Sequence, residues 1–176
     1  MTDLRLAHAP GVPSTADFRT GLSLLPGGVT IITTDGPAGR AGFTASAVCS
    51  VTDAPPTVLV CMNRSSFAHQ FFTGNRVLCV NVLAAAQQPL SALFSNRDMT
   101  MAQRFEQCAW QPLATGAPAI EGALVNLDGE IVATHDVGTH SVFIVELRRV
   151  HVPEDAVQQA GLAYFNRGYH ALAAAA

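Results

Sequence analysis

The sequence predicts a mainly β protein whose strands form a closed or nearly closed antiparallel barrel. Three observations lead to this fold class. About seven strand-like runs follow one another along the chain, short helical segments are concentrated between residues 84 and 107, and strands do not alternate regularly with helices. Regular alternation would instead indicate a parallel α/β sheet.

The predicted strands are apolar runs rich in β-branched residues and bounded by turn signals. They cover residues 29–34, 40–52, 57–62, 77–83, 124–127, 130–134, 140–150 and 162–165. A hairpin turn is expected at residues 35–39, and Gly129 and Gly138 are expected to mark further turns.

Short helices are predicted where local start signals occur. The predicted starts are Ser14, Ser65 or Ser66, Pro89 and about Met99. Asp17 lies three residues after Ser14, which is a capping signal, and proline is well tolerated in the first turn of a helix. These elements indicate a single domain over residues 14–170. A flexible arm is expected over residues 1–13, and a tail that frays is expected over residues 171–176.

The composition is poor in charge. Hydrophobic residues make up 49% of the chain and charged residues 13%, all ten basic residues are Arg, and the net charge is -3. Nucleic-acid binding is not expected, because it needs a clustered basic excess. So little surface charge predicts that a partner subunit covers part of the surface. No run approaches the ~18 apolar residues of a membrane span or the pattern of a secretory leader, so we expect a cytoplasmic protein without membrane contact.

Three of the four cysteines lie in apolar strand patterns, so buried reduced thiols are expected. Cys49, Cys61, Cys79 and Cys108 are separated by 12, 18 and 29 residues, with no Cys-x-x-Cys pair. His135 and His140 lie five residues apart, without a cysteine or carboxylate at metal-ligand spacing. We therefore expect no metal site.

Small side chains replace bulky ones in the run from Gly42 to Val51, which reads Gly-Phe-Thr-Ala-Ser-Ala-Val-Cys-Ser-Val. A strand that only filled a core would favour Val, Ile and aromatic residues. At a period of two residues, Thr44, Ser46 and Ser50 share one face, and Ala45, Ala47 and Cys49 share the other. Hydroxyl groups beside accessible main chain predict a flat ligand rimmed with heteroatoms.

Two common site motifs are missing from the sequence. The glycines at 36, 39 and 42 do not form the Gly-x-Gly-x-x-Gly turn of a dinucleotide fold, and no serine stands in a Gly-x-Ser-x-Gly elbow. Two polar sets remain at strand ends, the turn at residues 63–66 and Asn81, where a barrel rim can gather them. Turn Asn and Ser residues commonly bond their own backbone, whereas a buried amide such as Asn81 without partners costs ~1–3 kcal/mol.

A family resemblance is carried by residues 31–56, residues 58–63, residues 78–83, Arg104-Phe105, Trp110, Gly138-Thr139-His140 and residues 164–170. These segments resemble the short-chain flavin reductases of the FMN-binding split-barrel superfamily. The resemblance covers nearly the whole chain from about Phe18. It is greatest to the reductase components that serve pyrimidine-ring-opening and 4-hydroxyphenylacetate monooxygenases.

The resemblance implies a six-stranded antiparallel Greek-key split barrel that forms a homodimer and binds FMN or FAD near the subunit interface. It implies an NAD(P)H:flavin oxidoreductase, in which a hydride passes from NADH, or NADPH, to the flavin. The reduced flavin would then diffuse to a separate monooxygenase. No basic cluster for a 2′-phosphate is evident in the sequence, so the choice between NADH and NADPH stays open, as does the choice between FMN and FAD.

The resemblance also implies roles for individual residues. Thr44, Ala45, Ser46 and Ala47 would present main-chain N–H groups and hydroxyls to the pyrimidine edge of the flavin ring. Ser50, Cys61, Met62 and Asn63 would flank the ring and ribityl chain, and Ser65, Ser66 and Asn81 would lie toward the ribityl phosphate. His140 would face the nicotinamide, Tyr169 would lie near its exit, and Arg97 would reach the phosphate or remain a solvated loop arginine.

His140 is expected to orient the nicotinamide carboxamide rather than to act as a base. Hydride transfer consumes no protein proton and depends chiefly on the positions of the two rings. Thr139 stands where several members of the family carry Asp, so no carboxylate at that position is expected to orient His140.

Three other interpretations stay open. The chain could be a flavin-binding redox carrier or sensor on the same barrel, which would not sustain NADH consumption with excess FMN. It could be a pyridoxamine-phosphate-oxidase-like enzyme, for which a more basic phosphate site would be expected. A purely structural dimer would leave the hydroxyl groups on a central strand unexplained.

Overall fold

A seven-stranded antiparallel sheet forms the body of the protein in the computed structural model, which describes residues 11–174. The strands of these residues are β1 (Gly27–Gly28), β2 (Thr30–Thr34), β3 (Ala41–Ala45), β4 (Val48–Asp53), β5 (Pro56–Asn63), β6 (Val77–Val82), β7 (Trp110–Pro112), β8 (Pro118–Ile120), β9 (Val125–Val137), β10 (His140–His151), β11 (Gly161–Phe165) and β12 (Gly168–Leu172). The helices are α1 (Thr15–Ser23), α2 (His69–Asn75), α3 (Gln88–Ser95) and α4 (Met101–Phe105), with 3₁₀ turns at Ala85–Gln87 and Ala156–Gln158. The predicted mainly β class with short helices is confirmed.

The main sheet curls until the chain itself joins its two edges. Its order is β3-β2-β6-β9-β10-β5-β4, and all neighbours are antiparallel. The edge strands β3 and β4 are consecutive in sequence and are separated only by Ser46 and Ala47. The chain pairs with β2 up to Ala45 and with β5 from Val48, and the Cys61 N–H donates to the Ala47 carbonyl oxygen at 3.1 Å. The predicted nearly closed antiparallel barrel is present.

The single strand predicted for residues 40–52 is wrong, because Ser46 and Ala47 interrupt it. A strand that changes from one neighbour to another must bend, and ladder hydrogen bonds are lost at the bend. The same break changes the strand number. The resemblance implied six strands, whereas the main sheet has seven because β3 and β4 count separately.

The longest hairpin of the sheet consists of β9 and β10. These strands pair from His140 opposite Val137 to His151 opposite Asn126. The predicted turn at Gly138 is present, and its φ is 56°. The predicted turn at Gly129 is wrong, because this residue lies inside β9. A Cβ atom at Gly129 would stand 2.5 Å from the carbonyl oxygen of Glu146, so glycine allows the two backbones to approach.

The helices occupy most of the predicted positions. Ser14 Oγ accepts a hydrogen bond from the Asp17 N–H at 3.0 Å at the start of α1, and α3 and α4 fill the predicted insertion. The second helix differs from its prediction. It begins after Ala68 without a side-chain cap, so the predicted cap at Ser65 or Ser66 is wrong. These serines belong instead to a separate turn that follows β5.

A smaller sheet consists of β1, β11 and β12 in the order β1-β11-β12, and β7 pairs with β8. Leu172 lies opposite Gly161, so the tail predicted over residues 171–176 is wrong for its first two residues, which continue β12. Residues 1–10 and 175–176 lie outside the described residues, and with them most of the predicted arm. No helix of residues 11–174 is long and apolar enough to cross a membrane.

Strand β2 carries core on both of its faces, and all five of its residues are buried. One apolar cluster joins the main sheet to α2 and includes Ile32, Val60, Phe72, Leu78 and Phe143. The other joins β2 to α3 and includes Ile31, Leu83, Phe94 and Phe105. Because neighbouring side chains of a strand point to opposite faces, Ile31 and Ile32 link the insertion to the barrel.

All four cysteines are free thiols. Cys79 is buried, and burial together with the nearby charge of Asp128 raises the pKa of its thiol. Cys61 and Cys108 are half-buried and Cys49 is exposed. The prediction of buried thiols is therefore correct only for Cys79, because β4, which carries Cys49, exposes nearly all of its side chains.

We expect Gly129→Ala to lower the free energy of unfolding by about 1–3 kcal/mol, because the added methyl group overlaps the β10 main chain. Gly28→Ala is the matched control, since nothing lies within 4 Å of a Cβ atom there. The control should be unchanged or up to about 1 kcal/mol more stable. Urea unfolding measures both variants, and equal stability would contradict the close approach of the two strands.

Candidate functional site

An open cavity of about 1010 Å³ lies where the β3–β4 break meets the end of β5. The loop before α2, the segment from α3 to α4, and His140 form its other walls. Most of the predicted site residues line it, namely Thr44, Ala45, Ser46, Ala47, Cys61, Met62, Asn63, Ser65, Ser66, Arg97 and His140. The barrel rim thus gathers residues that are distant in sequence.

The β3–β4 break supplies main-chain donors. Ser46 and Ala47 belong to neither strand, and their N–H groups donate to no protein acceptor among residues 11–174. Main-chain N–H groups almost always have a partner, so these two indicate an acceptor outside the protein, either water or a ligand. The Thr44 hydroxyl differs, because it donates to the Ser91 carbonyl oxygen at 2.6 Å and so ties β3 to α3. Thr44 Oγ1 is left as an acceptor.

The turn that follows β5 is held by its own side chains. Asn63 Oδ1 accepts hydrogen bonds from the Ser65 N–H at 2.9 Å and from Ser65 Oγ at 2.8 Å. The Ser66 N–H donates to the Asn63 carbonyl oxygen at 3.1 Å. The local hydrogen bonding expected of turn residues therefore applies to Asn63 and Ser65. The Ser66 hydroxyl donates to no protein group in the described part of the chain, so it can meet a ligand.

Arg104 supports the segment between α3 and α4, which forms one wall of the cavity. It is buried, and its guanidinium donates to the carbonyl oxygens of Gly42 at 3.3 Å, Phe94 at 3.0 Å and Asn96 at 2.5 Å. Burial lowers its pKa. Its Nε atom is buried without a hydrogen-bond partner. Both terminal nitrogens of the guanidinium thus donate to main-chain carbonyl oxygens, so Arg104 holds this wall in place.

Two other arginines face the cavity in different ways. Arg40 is engaged, because its Nε lies 2.7 Å from an Asp35 oxygen and its guanidinium stands 4.1 Å from the centre of the Trp110 ring. Arg97 is exposed and bonds no partner within residues 11–174. Only Arg97, of these three arginines, therefore has its full set of donors available for an anion.

His140 lies at the cavity edge at the start of β10. Its Nδ1 is 2.9 Å from Thr139 Oγ1, and its Nε2 contacts no hydrogen-bond partner among the described residues. Hydrogen bonds from the Ser141 hydroxyl and the Arg64 guanidinium hold the pKa of nearby Asp136 below its usual range. The ring of His140 thus lies at the end of the β9–β10 hairpin, near the ion pair of Arg64 with Asp136. Its Nδ1 contacts Thr139, and its Nε2 is available to a ligand.

Asn81 does not reach the cavity, and its predicted place near a ribityl phosphate is wrong. The residue is fully buried in β6. Its Nδ2 donates to the Ile31 carbonyl oxygen at 2.9 Å, and its Oδ1 accepts from the Ile120 N–H at 2.8 Å and from Asn126 Nδ2 at 2.8 Å. The amide connects β2, β6, β8 and β9, which explains why an apolar strand carries it.

Two more predicted residues lie outside the cavity. Ser50 is exposed on β4 opposite Val58, and β4 leaves nearly all of its side chains exposed. Tyr169 packs against the second apolar cluster, and its hydroxyl lies 2.8 Å from Ser91 Oγ. Its placement near a nicotinamide exit is therefore not supported by this structure, and it braces α3 instead.

Sequence reasoning missed the aromatic and arginine walls. Phe43, Phe67, Phe71, Phe94, Arg40 and Arg104 line the cavity as well. The spacing of four residues between Phe67 and Phe71 places both on one side of a helical turn, but spacing alone does not separate a core face from a ligand face. No group of three or more His, Cys, Asp or Glu side chains suited to a metal ion occurs within residues 11–174.

A second cavity of about 300 Å³ adjoins the first. The two share Ser46, and the smaller one is lined by side chains of α1, by Tyr164 and by Arg167. The β3–β4 break therefore lies between two neighbouring cavities.

Comparison with known proteins identifies close relatives. Residues 22–173 match the profile of the family described as flavin reductase like domain. Over 171 residues the chain is 47% identical to the FMN reductase (NADH) RutF of Pantoea ananatis, an alignment that covers 97% of this chain and 88% of that relative.

Solved structures are similar over nearly the full barrel. BorF, the flavin reductase component of a bacterial two-component tryptophan halogenase, has a TM-score of 0.83 at 28% identity over 91% of this chain and 99% of BorF. SMOB, the styrene monooxygenase flavin reductase of Pseudomonas putida S12, has a TM-score of 0.78 at 28% identity over 88% and 96% of the two chains. The predicted split-barrel fold is confirmed.

We expect Asn81→Leu to lower the free energy of unfolding by about 2–4 kcal/mol, because the donors of Ile120 and Asn126 lose their acceptor in a buried site. Ligand affinity of the folded protein should be unchanged. The control Gln107→Leu alters an exposed amide and should change stability by less than about 0.5 kcal/mol. Thermal and urea unfolding measure both, and a stable Asn81→Leu protein with weakened ligand binding would contradict the structural role.

Proposed function

The chain belongs to the flavin reductase-like domain family, and from this premise we propose that it reduces FMN with NADH and supplies the reduced flavin to a separate monooxygenase. The observation that carries the proposal is the cavity at the β3–β4 break. Two main-chain N–H groups there have no acceptor within residues 11–174, and aromatic side chains and arginines line the same cavity. The name of the Pantoea ananatis relative supports FMN and NADH, and that of SMOB supports an oxygenase partner.

The cavity fits a flavin mononucleotide in size and chemistry. Ligand sites commonly span roughly 300–1,000 Å³, and this cavity is at the upper end, which leaves room for a second ring. The N–H groups of Ser46 and Ala47 suit the carbonyl and nitrogen acceptors of a flavin edge. The aromatic side chains of the cavity suit the faces of the flavin ring. Among the lining residues, only Asp98 carries a carboxylate.

When bound, FMN supplies a ring position that accepts a hydride. The contribution of the chain is to position that ring and to stabilise the charge that it gains. Ser46 and Ala47 lie between two strands that are fixed by ladders to β2 and β5. Their N–H groups are therefore preorganised donors toward a ring edge that becomes more negative during the reaction.

His140 is assigned to the nicotinamide of NADH. When the Thr139 hydroxyl donates to Nδ1, the proton of the neutral ring is on Nε2. That N–H can then donate to the carboxamide oxygen and hold the nicotinamide over the flavin ring, where hydride transfer needs the reacting atoms at about 3–3.5 Å. His140 acts by orientation and moves no proton.

The phosphate of FMN is assigned to Arg97 and Ser66. Arg40 and Arg104 are engaged with protein groups, whereas Arg97 and the Ser66 hydroxyl have donors to spare. Guanidinium groups bind phosphate through paired charge-assisted hydrogen bonds. This assignment predicts tighter binding of FMN than of riboflavin, which lacks the phosphate.

A homodimer is proposed from the state of α1. This helix buries none of its residues, and its Phe18 and Leu22 are 56% and 50% exposed. Leu25, which follows the end of the helix, is 69% exposed. An apolar helix face without cover is typical of an interface. Leu22 and Leu25 line the smaller cavity, which shares Ser46 with the flavin cavity. A second copy against α1 would therefore extend the wall of the flavin site.

The cytoplasm is proposed as the location. All four cysteines are free, which suits a reducing compartment.

Anaerobic titration with NADH or NADPH, in the presence of FMN, FAD or riboflavin, tests the function. We expect NADH with FMN to bleach the flavin absorbance fastest. With excess FMN and still without oxygen, NADH consumption should exceed one equivalent of the protein many times, whereas a carrier or sensor would stop after one turnover. Absence of bleaching with every pair would contradict the proposed activity.

We expect His140→Ala to raise the KM for NADH on the order of tenfold, because about 1.4 kcal/mol of orienting interaction is lost. Its affinity for FMN should be unchanged. Stopped-flow reduction at several NADH concentrations measures the effect. His151→Ala, at the opposite end of β10, is the control and should behave as the wild type. An unchanged rate in His140→Ala would exclude the assigned role.

We expect Leu25→Glu to dissociate the homodimer, because the substitution places a charge directly after α1, beside the exposed apolar side chains of that helix. Sedimentation velocity measures the mass, and FMN titration should show weaker binding in the variant. Val157→Glu, at another strongly exposed apolar position, is the control and should remain dimeric. A Leu25→Glu protein of unchanged mass would contradict the interface.

A further inference from the structure

We propose that Arg64 is a positioning residue for His140, which it serves by clamping the β9–β10 turn to the end of β5. The inference rests on the proposed function, because it concerns how the nicotinamide is held. Arg64 itself is exposed and does not line the cavity. Its role therefore acts through His140 and not through contact with a ligand.

The turn that carries His140 needs an external anchor. Only Gly138 and Thr139 separate Val137 from His140, and Gly138 has a φ of 56°, which belongs to the first position of a tight hairpin turn. These residues are exposed. Tips of this kind are the mobile parts of hairpins unless they are tied down. A side chain that orients a substrate must stand on an element of fixed position.

Arg64 supplies that anchor through three separate contacts. Its main-chain N–H donates to the Thr139 carbonyl oxygen at 3.0 Å. Its Nη2 donates to the Gly138 carbonyl oxygen at 2.5 Å, and its Nη1 lies 3.1 Å from Asp136 Oδ2. One residue thus holds both carbonyls of the turn and the carboxylate that precedes it. An exposed ion pair alone would contribute little, but the two carbonyl contacts fix the geometry.

A hydrogen-bonded chain supports Asp136 from the other side. The Ser141 hydroxyl donates to Asp136 Oδ1 at 2.6 Å. Because that hydroxyl has one proton, the contact of 2.9 Å between His69 Nε2 and Ser141 Oγ requires the imidazole N–H to donate. Ser141 is buried and directly follows His140. The order of donors is therefore His69 to Ser141 to Asp136, with Arg64 donating to the same carboxylate.

The clamp also joins two walls of the cavity. Arg64 follows Asn63, and Asn63 lies opposite His140 in the pairing of β5 with β10. Arg64 thus holds two parts of the proposed site together. One is the turn at residues 63–66, which includes Ser66 on the phosphate side, and the other is His140 on the nicotinamide side. Loss of the guanidinium should move His140 while leaving the Asn63–Ser65 hydrogen bonds in place, because those bonds do not involve the Arg64 side chain.

The test uses Arg64→Met, which keeps most of the side-chain length and removes the guanidinium. We expect the KM for NADH to rise on the order of tenfold, while the Kd for FMN changes less than about twofold. Arg148→Met is the matched control, since it breaks the pairs of Arg148 with Glu130 and Glu146 on the same β9–β10 hairpin, away from the turn. The control should change neither quantity.

A double-mutant cycle separates positioning from a general structural effect. In the His140→Ala background, Arg64→Met should add no further rise in KM for NADH, because the residue that it positions is gone. A further rise of the same size in that background would overturn the proposal. So would an unchanged KM in Arg64→Met, or an equal weakening of FMN binding.

Hydrogen exchange gives a readout that does not depend on turnover. The amides of residues 138–141 should exchange faster in Arg64→Met than in the wild type or in Arg148→Met, and unchanged protection would overturn the clamp. If the wild-type protein fails to reduce any flavin, the proposed function fails while this measurement still decides whether Arg64 holds the turn. If the wild type is active and Arg64→Met keeps its KM, only the positioning role fails.

Discussion

The structure depends on one constraint, the passage of a single chain from one edge of the main sheet to the other at Ser46 and Ala47. Up to that point the chain pairs with β2, and beyond it with β5. The barrel can close there without a long connection, but the two residues give up their ladder partners. The donors that face the cavity are therefore a direct product of barrel closure and not an addition to a finished fold.

The two sides of the cavity are held by different means. The strand side rests on continuous ladders, which resist distortion because many hydrogen bonds must break together. The helical side is an insertion that a few side chains hold. Arg104 donates to the carbonyl oxygens of Phe94, Asn96 and Gly42, and Thr44 and Tyr169 contact Ser91 of α3. Motion that admits or releases a ligand would be easier on the helical side, where far fewer bonds have to open.

The sequence predicted the strands and most helices because the spacing of apolar residues and the residue types found in turns are local properties of the chain. They could not show the β3–β4 break, since Ser46 and Ala47 continue an alternation that looks unbroken. Gly129 and Gly138 look alike in sequence, but the first gives space to the main chain of the neighbouring strand β10 and the second makes a turn. The sequence correctly marked Asn81 as costly to bury without partners. Its predicted position near a phosphate was wrong, because its hydrogen-bond partners come from three other segments of the chain.

The position of two main-chain donors at the β3–β4 break has a consequence for how this region can change. The N–H groups of Ser46 and Ala47 are present whatever small side chain is attached, so the site constrains bulk at these positions more than chemical identity. Proline alone would delete a donor, and large residues would fill the space above it. These two hydrogen-bond donors can thus be kept through substitutions at positions 46 and 47 that would remove a site built from side chains.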